Sequence, residues 1–158
     1  MKWRLSHRAD PAARSIADRH YNRQKPGTPQ FVPPGRCIVL ISDNALWVTS
    51  WPFAEYVKHH WAGAWVNNLF RNESDDLSSE LIRQAVAATR WFWKVPELGM
   101  ITFVDAAKIR STNPGYCYLQ AGFRRVGYTQ GGLVALQLLP LAMPIAEPPS
   151  GVQLSLCL

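Results

Sequence analysis

Residues 70–86, FRNESDDLSSELIRQAV, combine residue types that suit an anion-binding loop. A helix is predicted to begin near Ser78 and Ser79, directly after an apolar strand. The first turn of a helix has unpaired N–H groups and about half a positive charge, which favour a phosphate or pyrophosphate. Serine hydroxyls add hydrogen-bond donors, and Arg71 and Arg83 add positive charge. The segment therefore predicts a site for a phosphate-bearing cofactor.

An alternative interpretation of this segment stays open. Asp75 and Asp76 would repel a phosphate, and no glycine lies between Phe70 and Trp93 to let a ligand approach the backbone. In this alternative Asp76 caps the helix and Glu73 is solvated.

A second candidate group lies around Asp105, which ends the apolar stretch GMITFVDA. Ligands gather at strand ends in open α/β sheets. A carboxylate there can accept a proton from an exocyclic amine or hold a metal. With His20 and Tyr21 it would make a nitrogen and oxygen ligand set suited to iron. The alternative is that His20 is an exposed histidine at a helix end, and most such residues bind nothing.

The positive charge is concentrated at the front of the chain. The net charge is +6, and residues 1–36 hold eight Lys and Arg against two Asp, whereas residues 37–158 hold nine against nine acids. A basic segment gathers a polyanion by releasing its counterions, which makes nucleic acid a reasonable partner. A solvated arm that aids solubility is the alternative.

Length and composition predict one domain. A chain of 158 residues with 47% hydrophobic content can bury a core of its own but is short for two domains. We expect the domain to span residues 1–140, including the basic N-terminal segment, and residues 141–158 to form a C-terminal tail.

No membrane span or secretory signal is expected. The longest apolar run, residues 131–146, is interrupted by Gln137, Pro140 and Pro144, and a bilayer requires about 20 apolar residues. The first residues lack an apolar core and a cleavage site. Three cysteines indicate reduced thiols rather than a disulfide framework. These observations predict a cytoplasmic protein.

The elements that would position these groups alternate between strands and helices. The long helix would connect two strands of one sheet as a crossover, which predicts an α/β fold with a mixed central sheet and flanking helices. The predicted elements are a helix from Asp10-Pro11 to about Tyr21, a loop over 22–36, a hairpin around Asp43-Asn44, a strand over 63–70, a helix over 77–93, a strand over 99–105, a short helix between Asn113-Pro114 and Gly122, and a strand pair around Gly131-Gly132.

This order, with NPGYCYLQAGFRRVGYT over 113–129, resembles the GNAT acyltransferase fold. The resemblance implies that strands 63–70 and 99–105 splay apart and that acetyl-CoA or a related acyl-CoA enters the gap. It also implies that Tyr118, four residues before Gly122, returns a proton to the coenzyme thiolate, a role worth about 10²–10⁴ in rate. The alternative is that Tyr118 only packs its helix against the sheet. The loop before the long helix departs from the family pattern, which has spaced glycines.

A more specific resemblance is to the Mom-type DNA modification proteins of bacteriophages. The segments FRNE, SSELI, GMITFVDA, NPG…AGF, HY at 20–21 and SWPFAEYVKHHW carry it, within residues 18–138. It implies conversion of adenine in DNA to an N6-carbamoylmethyl derivative that blocks restriction enzymes. It also raises iron as a cofactor and places the protein in the cytoplasm of a host cell.

An enzyme that modifies adenine in double-stranded DNA must flip the base and grip it by stacking. Trp51 and Trp61 are the better candidates for that role, because Trp65 lies within a strand and is expected to be buried. The residues predicted to contact DNA phosphates are Arg23, Lys25 and Arg36.

Two other functions stay open from the sequence. One is a conventional N-acetyltransferase acting on a protein or a small amine, which would keep Tyr118 and the coenzyme site. The other is a DNA-binding phage protein without catalytic activity. The sequence leaves the donor of the transferred group and the oligomeric state open, and a homodimer is one alternative.

Overall fold

The computed structural model describes residues 1–21, 23, 26–28, 30–109 and 113–152. Seven strands form one mixed sheet in the order β1-β2-β3-β4-β5-β7-β6. The strands are β1 Arg4–Leu5, β2 Cys37–Ser42, β3 Ala45–Ser50, β4 Trp65–Asn72, β5 Met100–Val104, β6 Arg124–Tyr128 and β7 Val134–Leu138. The α-helices are α1 Pro11–Ala17, α2 Ser78–Phe92 and α3 Tyr116–Gln120. The predicted α/β fold with a mixed sheet is confirmed.

Helix α1 begins as predicted and ends earlier. Asp10 is its N-cap and accepts a hydrogen bond from the Ala12 backbone N–H, with Pro11 at the first helical position. The helix ends at Ala17 rather than near Tyr21, because the chain then turns and Asp18 becomes the C-cap. Its buried residues pack on one face of the sheet against β2, β3 and β4.

The hairpin of β2 and β3 has the predicted two-residue turn. Ser42 pairs with Ala45, which leaves Asp43 and Asn44 in the turn. Neither residue has a positive φ, so the turn does not use the left-handed conformation that the pair tolerates.

Helix α2 covers the opposite face of the sheet. Its apolar stripe, Leu81, Ile82, Ala85 and Val86, is buried in the main core with α3 and the facing sides of the central strands. The main core also holds Trp65, whose predicted burial is confirmed. The apolar spacing of residues 77–93 therefore predicted both the helix and its buried side.

The N-terminal segment is part of the fold rather than a solvated arm. Trp3 is fully buried, and its Nε1–H donates to the Leu81 carbonyl at 2.8 Å. Several cations of this segment pair with acids of the same chain, including Lys2 with Asp76 and Arg4 with Asp43. These ion pairs offset part of the positive charge that the sequence places at the front.

The described part of the C-terminal tail follows α2 back toward the N-terminus. Met143 is buried in the main core, and the Glu147 N–H donates to the Ala87 carbonyl. The Ser150 N–H donates to the Trp3 carbonyl at 2.9 Å. Within the ranges that the structure describes, no helix is long and apolar enough to cross a bilayer.

The parallel strands β4 and β5 separate into a fork. They pair only at Trp65 with Met100, Val66 with Ile101, and Asn67 with Thr102. Strand β4 then runs on to Asn72 and β5 to Val104, beyond the last pair. The pairing of β3 with β4 skips Asn68, which is the extra residue of a β-bulge. The bulge increases the local twist at the position where β4 leaves β5.

Candidate functional site: the fork between β4 and β5

A cavity of about 390 Å³, here called cavity A, occupies the fork on the side of α2 and α3. This volume lies within the range of small-molecule sites. Its walls come from the open ends of β4 and β5, from Ser78 at the start of α2, and from Cys117 and Tyr118 on α3. The crossover through α2 brings these elements to one end of the sheet.

A buried hydrogen-bond network marks the base of the fork. The Tyr118 hydroxyl donates to Asn67 Oδ1 at 2.7 Å, and the Thr102 hydroxyl donates to the same oxygen at 3.0 Å. Asn67 Nδ2 in turn donates to the carbonyls of Val48 and Leu69, each at 3.1 Å. These four bonds use both ends of the amide and fix its orientation. Asn67 therefore holds the Tyr118 phenol at the last paired position of the two strands.

The surroundings of Tyr118 keep it protonated. Its side chain lines cavity A while the residue is only 8% exposed. Burial, the largest effect, raises the pKa of the phenol well above its ordinary value. A phenol in this state stays neutral near pH 7 and acts as a hydrogen-bond donor, here to Asn67 Oδ1.

The start of α2 reaches cavity A through one of the two predicted serines. Ser78 lines the cavity, and its Oγ accepts a hydrogen bond from Asn72 Nδ2 at 2.9 Å. Ser79 follows in the first turn and is half-buried. The N-cap is Leu77, without a side-chain cap bond, so the alternative in which Asp76 caps the helix is wrong.

Asn72 organises the loop before α2 and was missed by the sequence analysis. Its Oδ1 accepts hydrogen bonds from the Ser74 N–H and hydroxyl, and its Nδ2 also donates to the Asp76 carbonyl. These bonds close the turn between β4 and α2. An asparagine followed two residues later by serine was the available signal, because such side chains bond to nearby backbone groups.

Arg71 is held by an acid beside the fork. Its Nε donates to Glu73 Oε2 at 2.6 Å, while Arg19 donates to both Glu73 oxygens at 2.7 and 2.6 Å. Hydrogen bonds from Arg19 and then from Arg71 lower the pKa of Glu73 to about 2. Glu73 is therefore a bridge between α1 and the loop, and the alternative in which it is simply solvated is wrong.

Arg83 lies away from the predicted phosphate site. Its guanidinium donates to the Ala121 carbonyl at 2.8 Å and to the Ala142 carbonyl at 3.4 Å. The side chain thus joins α2 to the end of α3 and to the tail. Because these carbonyls hold it outside the walls of cavity A, we remove Arg83 from the cofactor site.

The fold brings together two of the three residues predicted to hold iron, and the third stacks beside them. Tyr21 Oη accepts a hydrogen bond from the Asp105 backbone N–H at 3.4 Å, and the ring of His20 stacks on Tyr21 at 4.4 Å. Asp105 Oδ1 accepts from the Ala107 N–H and caps a short helical turn.

The environment of Tyr21 does not favour its use as an iron ligand. Burial is the main cause that raises the pKa of Tyr21, which opposes the phenolate form that binds iron. Among the described residues, no group of three or more His, Cys, Asp or Glu could hold a metal ion.

A second cavity, here called cavity B, adjoins the same fork and has a volume of about 440 Å³. It shares Tyr21, Asn67, Asn68 and Phe103 with cavity A, and its other walls include Arg23, Asp105 and Lys108. Val66 also lines cavity B. Successive side chains of a strand point to opposite faces of the sheet, and Trp65 is buried on the α2 side. Val66 therefore points to the other face. The fork therefore connects a cavity on each face of the sheet, and Asp105 belongs to cavity B.

Of the cations predicted to bind DNA, Arg23 is engaged within its own loop. The Arg23 side chain is 9% exposed and binds Asp18 at 2.8 Å together with the carbonyls of Gln30 and Thr28. It stabilises its own loop and is not available to a phosphate in this arrangement. Lys25 lies outside the described residues.

The predicted stacking tryptophans are partly packed. Trp51 Nε1 donates to the Gly63 carbonyl, and its ring contacts Trp65 and Trp93. Trp61 packs against His59 and Phe103. These contacts leave both rings half-buried.

Exposed aromatic rings lie nearby, at positions that the sequence analysis did not single out. Phe53 is 62% and Tyr56 is 77% exposed. Arg36, the third predicted cation, lies over the rings of Trp51 and Phe53, 4.7 and 5.3 Å from their centroids. Aromatic composition alone did not distinguish these exposed rings from the packed ones.

Comparison of the chain with protein-family models, with curated proteins and with solved structures gives no match. The family resemblance therefore stays a prediction, and the functional argument depends on the geometry of the fork.

Proposed function

We propose that this protein is a GNAT-like transferase that binds an acyl-CoA donor in cavity A and modifies N6 of adenine in DNA presented at cavity B. The observation that carries the proposal is the fork between β4 and β5, with the protonated Tyr118 at its base. The Mom-type resemblance supplies adenine in double-stranded DNA as the acceptor. The fork supports a two-substrate reaction because it opens to a cavity on each face of the sheet.

The walls of cavity A suit the parts of a coenzyme. The separated strands offer backbone polar groups along a narrow cleft, which fits the amide-containing arm of coenzyme A. The start of α2, with Ser78 at the cavity wall, favours the pyrophosphate through its N–H groups and dipole. Of the two predicted arginines, only Arg71 stays near this end, and its charge is shared with Glu73.

The chain provides a group for each side of a transfer to an amine. As the carbon–nitrogen bond forms and the carbon–sulfur bond breaks, the Tyr118 hydroxyl turns from Asn67 Oδ1 and donates a hydrogen bond to the departing thiolate, and the amine loses a proton to Asp105. The thiolate then takes a proton from solvent and Asp105 returns its proton to solvent, so the step balances. The lone pair of adenine N6 is delocalised into the ring, which makes this nitrogen a poor nucleophile. Acetyl transfer joins N6 to a carbonyl carbon, whereas a carbamoylmethyl group is joined through its CH₂ carbon and ends in an amide, so simple acetyl transfer is an incomplete route to a carbamoylmethyl product.

Mass spectrometry of digested DNA tests the proposal. DNA from cells expressing the protein should contain an adenosine of increased mass, and cells expressing Tyr118→Phe at equal abundance should contain much less of it. Asp105→Ala tests the acceptor side separately. Normal nucleosides alone, with abundant folded protein, would contradict the proposal.

A conventional N-acetyltransferase is the second candidate, and one observation favours it. Arg23 and Trp51, which DNA binding was predicted to use, are engaged within the fold. Incubating the protein with acetyl-CoA and a panel of small amines, while measuring thiol release, distinguishes the two functions. Deletion of residues 1–24 is not a usable test, because it removes Trp3 from the core. A clear titration with acyl-CoA would exclude a DNA-binding protein without catalytic activity.

A further inference from the structure

We infer that a surface formed by Arg8, Arg36, Phe53 and Tyr56, here called the aromatic–basic surface, binds single-stranded nucleic acid. The inference rests on the proposed function for its role, since the surface would hold a strand that leaves the duplex when the target base is flipped. It depends on contacts outside cavities A and B, and its binding test needs no acyl donor.

The aromatic part of this surface is an exposed pair of rings. Phe53 and Tyr56 flank a short helical turn, with ring centroids 6.5 Å apart and planes at 76°. With 62% and 77% of their surfaces exposed, both rings have faces open to solvent. Single exposed apolar residues are ordinary, but adjacent aromatic rings beside cations are typical of a binding surface.

The basic part adjoins these rings through Arg36. Its guanidinium covers one side of Phe53 and donates one hydrogen bond, to the Trp51 carbonyl at 3.1 Å. Arg36 and Arg8 both line a shallow cavity of about 420 Å³ at the start of β2, together with His7. Arg8 Nη2 donates to the Gly35 carbonyl at 2.6 Å and to Cys37 Sγ at 3.0 Å. Each guanidinium has five N–H donors, so both retain donors for phosphate oxygens.

The charges of the aromatic–basic surface favour a polyanion as its ligand. Glu55 is the exposed acid on the same turn, and the Asp10 carboxylate near His7 accepts hydrogen bonds from Ser6 and Ala12. Two arginines therefore face one uncommitted carboxylate. Phosphates contact the guanidinium groups and give salt-dependent affinity.

The exposed rings select a single strand over a duplex. Aromatic side chains stack on base faces, and those faces are covered by neighbouring bases in a duplex. Further along the same segment, the rings of His59 and Trp61 pack on Phe103, with centroids 5.1 and 6.0 Å from it. Phe103 lines both cavity A and cavity B. The segment that carries the exposed rings therefore also reaches the wall of the fork.

Fluorescence anisotropy with a labelled oligothymidylate of about 12 nucleotides tests the inference, a length within the usual site sizes for such surfaces. The double variant Phe53→Ala/Tyr56→Ala should bind about 10- to 100-fold more weakly, which corresponds to the loss of one to two stacked bases. Tyr128→Ala is the matched control, because Tyr128 is 72% exposed on the edge strand β6. It should bind like the wild type, and all three proteins should melt at similar temperatures.

Two further measurements identify the ligand chemistry. The wild type should prefer the oligothymidylate to a duplex of equal length, and Arg36→Ala should reduce the salt slope by about 0.7 for the lost phosphate contact. Absence of binding at low salt, equal weakening by Tyr128→Ala, or preference for duplex DNA would overturn the inference. Because nucleoside mass spectrometry reports modification and anisotropy reports binding, failure of the proposed function and failure of this inference are distinguishable.

Discussion

Replacing Asn67 by Ala should destabilise the protein far more than removing the Tyr118 hydroxyl. The Asn67 amide donates to the carbonyls of Val48 and Leu69, and the residue is only 4% exposed. Leaving a buried polar group without its partner costs about 1–3 kcal/mol, so the two carbonyls together cost about 2–6 kcal/mol. The Tyr118 and Thr102 hydroxyls lose their shared acceptor as well, but hydroxyls can rotate, and we do not count them.

Tyr118→Phe is the informative comparison. It removes one donor, while Asn67 Oδ1 keeps its bond from Thr102. The expected loss is about 0.5–1.5 kcal/mol, the net value of one hydrogen bond. Since domains are typically stable by only about 5–15 kcal/mol, the Asn67 variant should approach the unfolding threshold and the Tyr118 variant should not.

Urea unfolding followed by tryptophan fluorescence measures both variants. Asn44→Ala is the control, because Asn44 is exposed in the β2–β3 turn and should change stability by less than about 0.5 kcal/mol. A loss below about 1 kcal/mol for Asn67→Ala, or a loss equal to that of Tyr118→Phe, would refute the view that the amide fixes the base of the fork.

Three further predictions concern the surroundings of the fork. Two arginines lower the pKa of Glu73 from 4.5 to about 2, so its contribution to stability is full above about pH 4.5 and is lost as the pH falls through 2. The free energies of unfolding in urea of Glu73→Gln and the wild type should therefore differ at pH 7 and converge near pH 2. A difference that stays constant with pH would count against the bridge. Arg83→Ala should lower stability by about 1–2 kcal/mol without changing acetyl-CoA affinity in calorimetry, whereas a large loss of affinity would return Arg83 to the site. Gly99→Ala should prevent folding as judged by circular dichroism, because the added Cβ would overlap the Leu138 carbonyl oxygen. In Gly132→Ala the added Cβ meets open space, so this control should only strain the backbone. Equal effects of the two substitutions would contradict the prediction.

Much of the local structure followed from sequence patterns. The two-residue hairpin, the apolar stripe of α2 and the left-handed Gly122 after α3, with φ of 105°, are all present. The sheet order was not accessible, because β7 inserts between β5 and β6 and only long-range pairing decides this. Strand β1 has two residues, too few for a period to appear.

Site residues set by local structure were predicted more successfully than those set by long-range contacts. Asp105 was predicted from a strand end, Ser78 from a helix start and Tyr118 from the resemblance to the GNAT fold, and all three line one of the two cavities. Arg83 was misplaced because its partners include the Ala121 carbonyl, 38 residues away, and charge alone does not reveal such a bond. Asn67 was missed, although an asparagine pair inside the apolar strand WVNNLF was a visible signal of a buried polar network.

Isothermal titration of the wild type and of Ser78→Glu with acetyl-CoA tests the central claim most directly. Ser78 begins α2 at the wall of cavity A, and a carboxylate there is compatible with the helix dipole but repels a pyrophosphate. We predict one-site binding to the wild type and a loss of affinity of at least about tenfold in a variant with unchanged thermal stability. Absence of binding to the folded wild type, or equal affinity for the two proteins, would contradict the assignment of the fork as an acyl-CoA site.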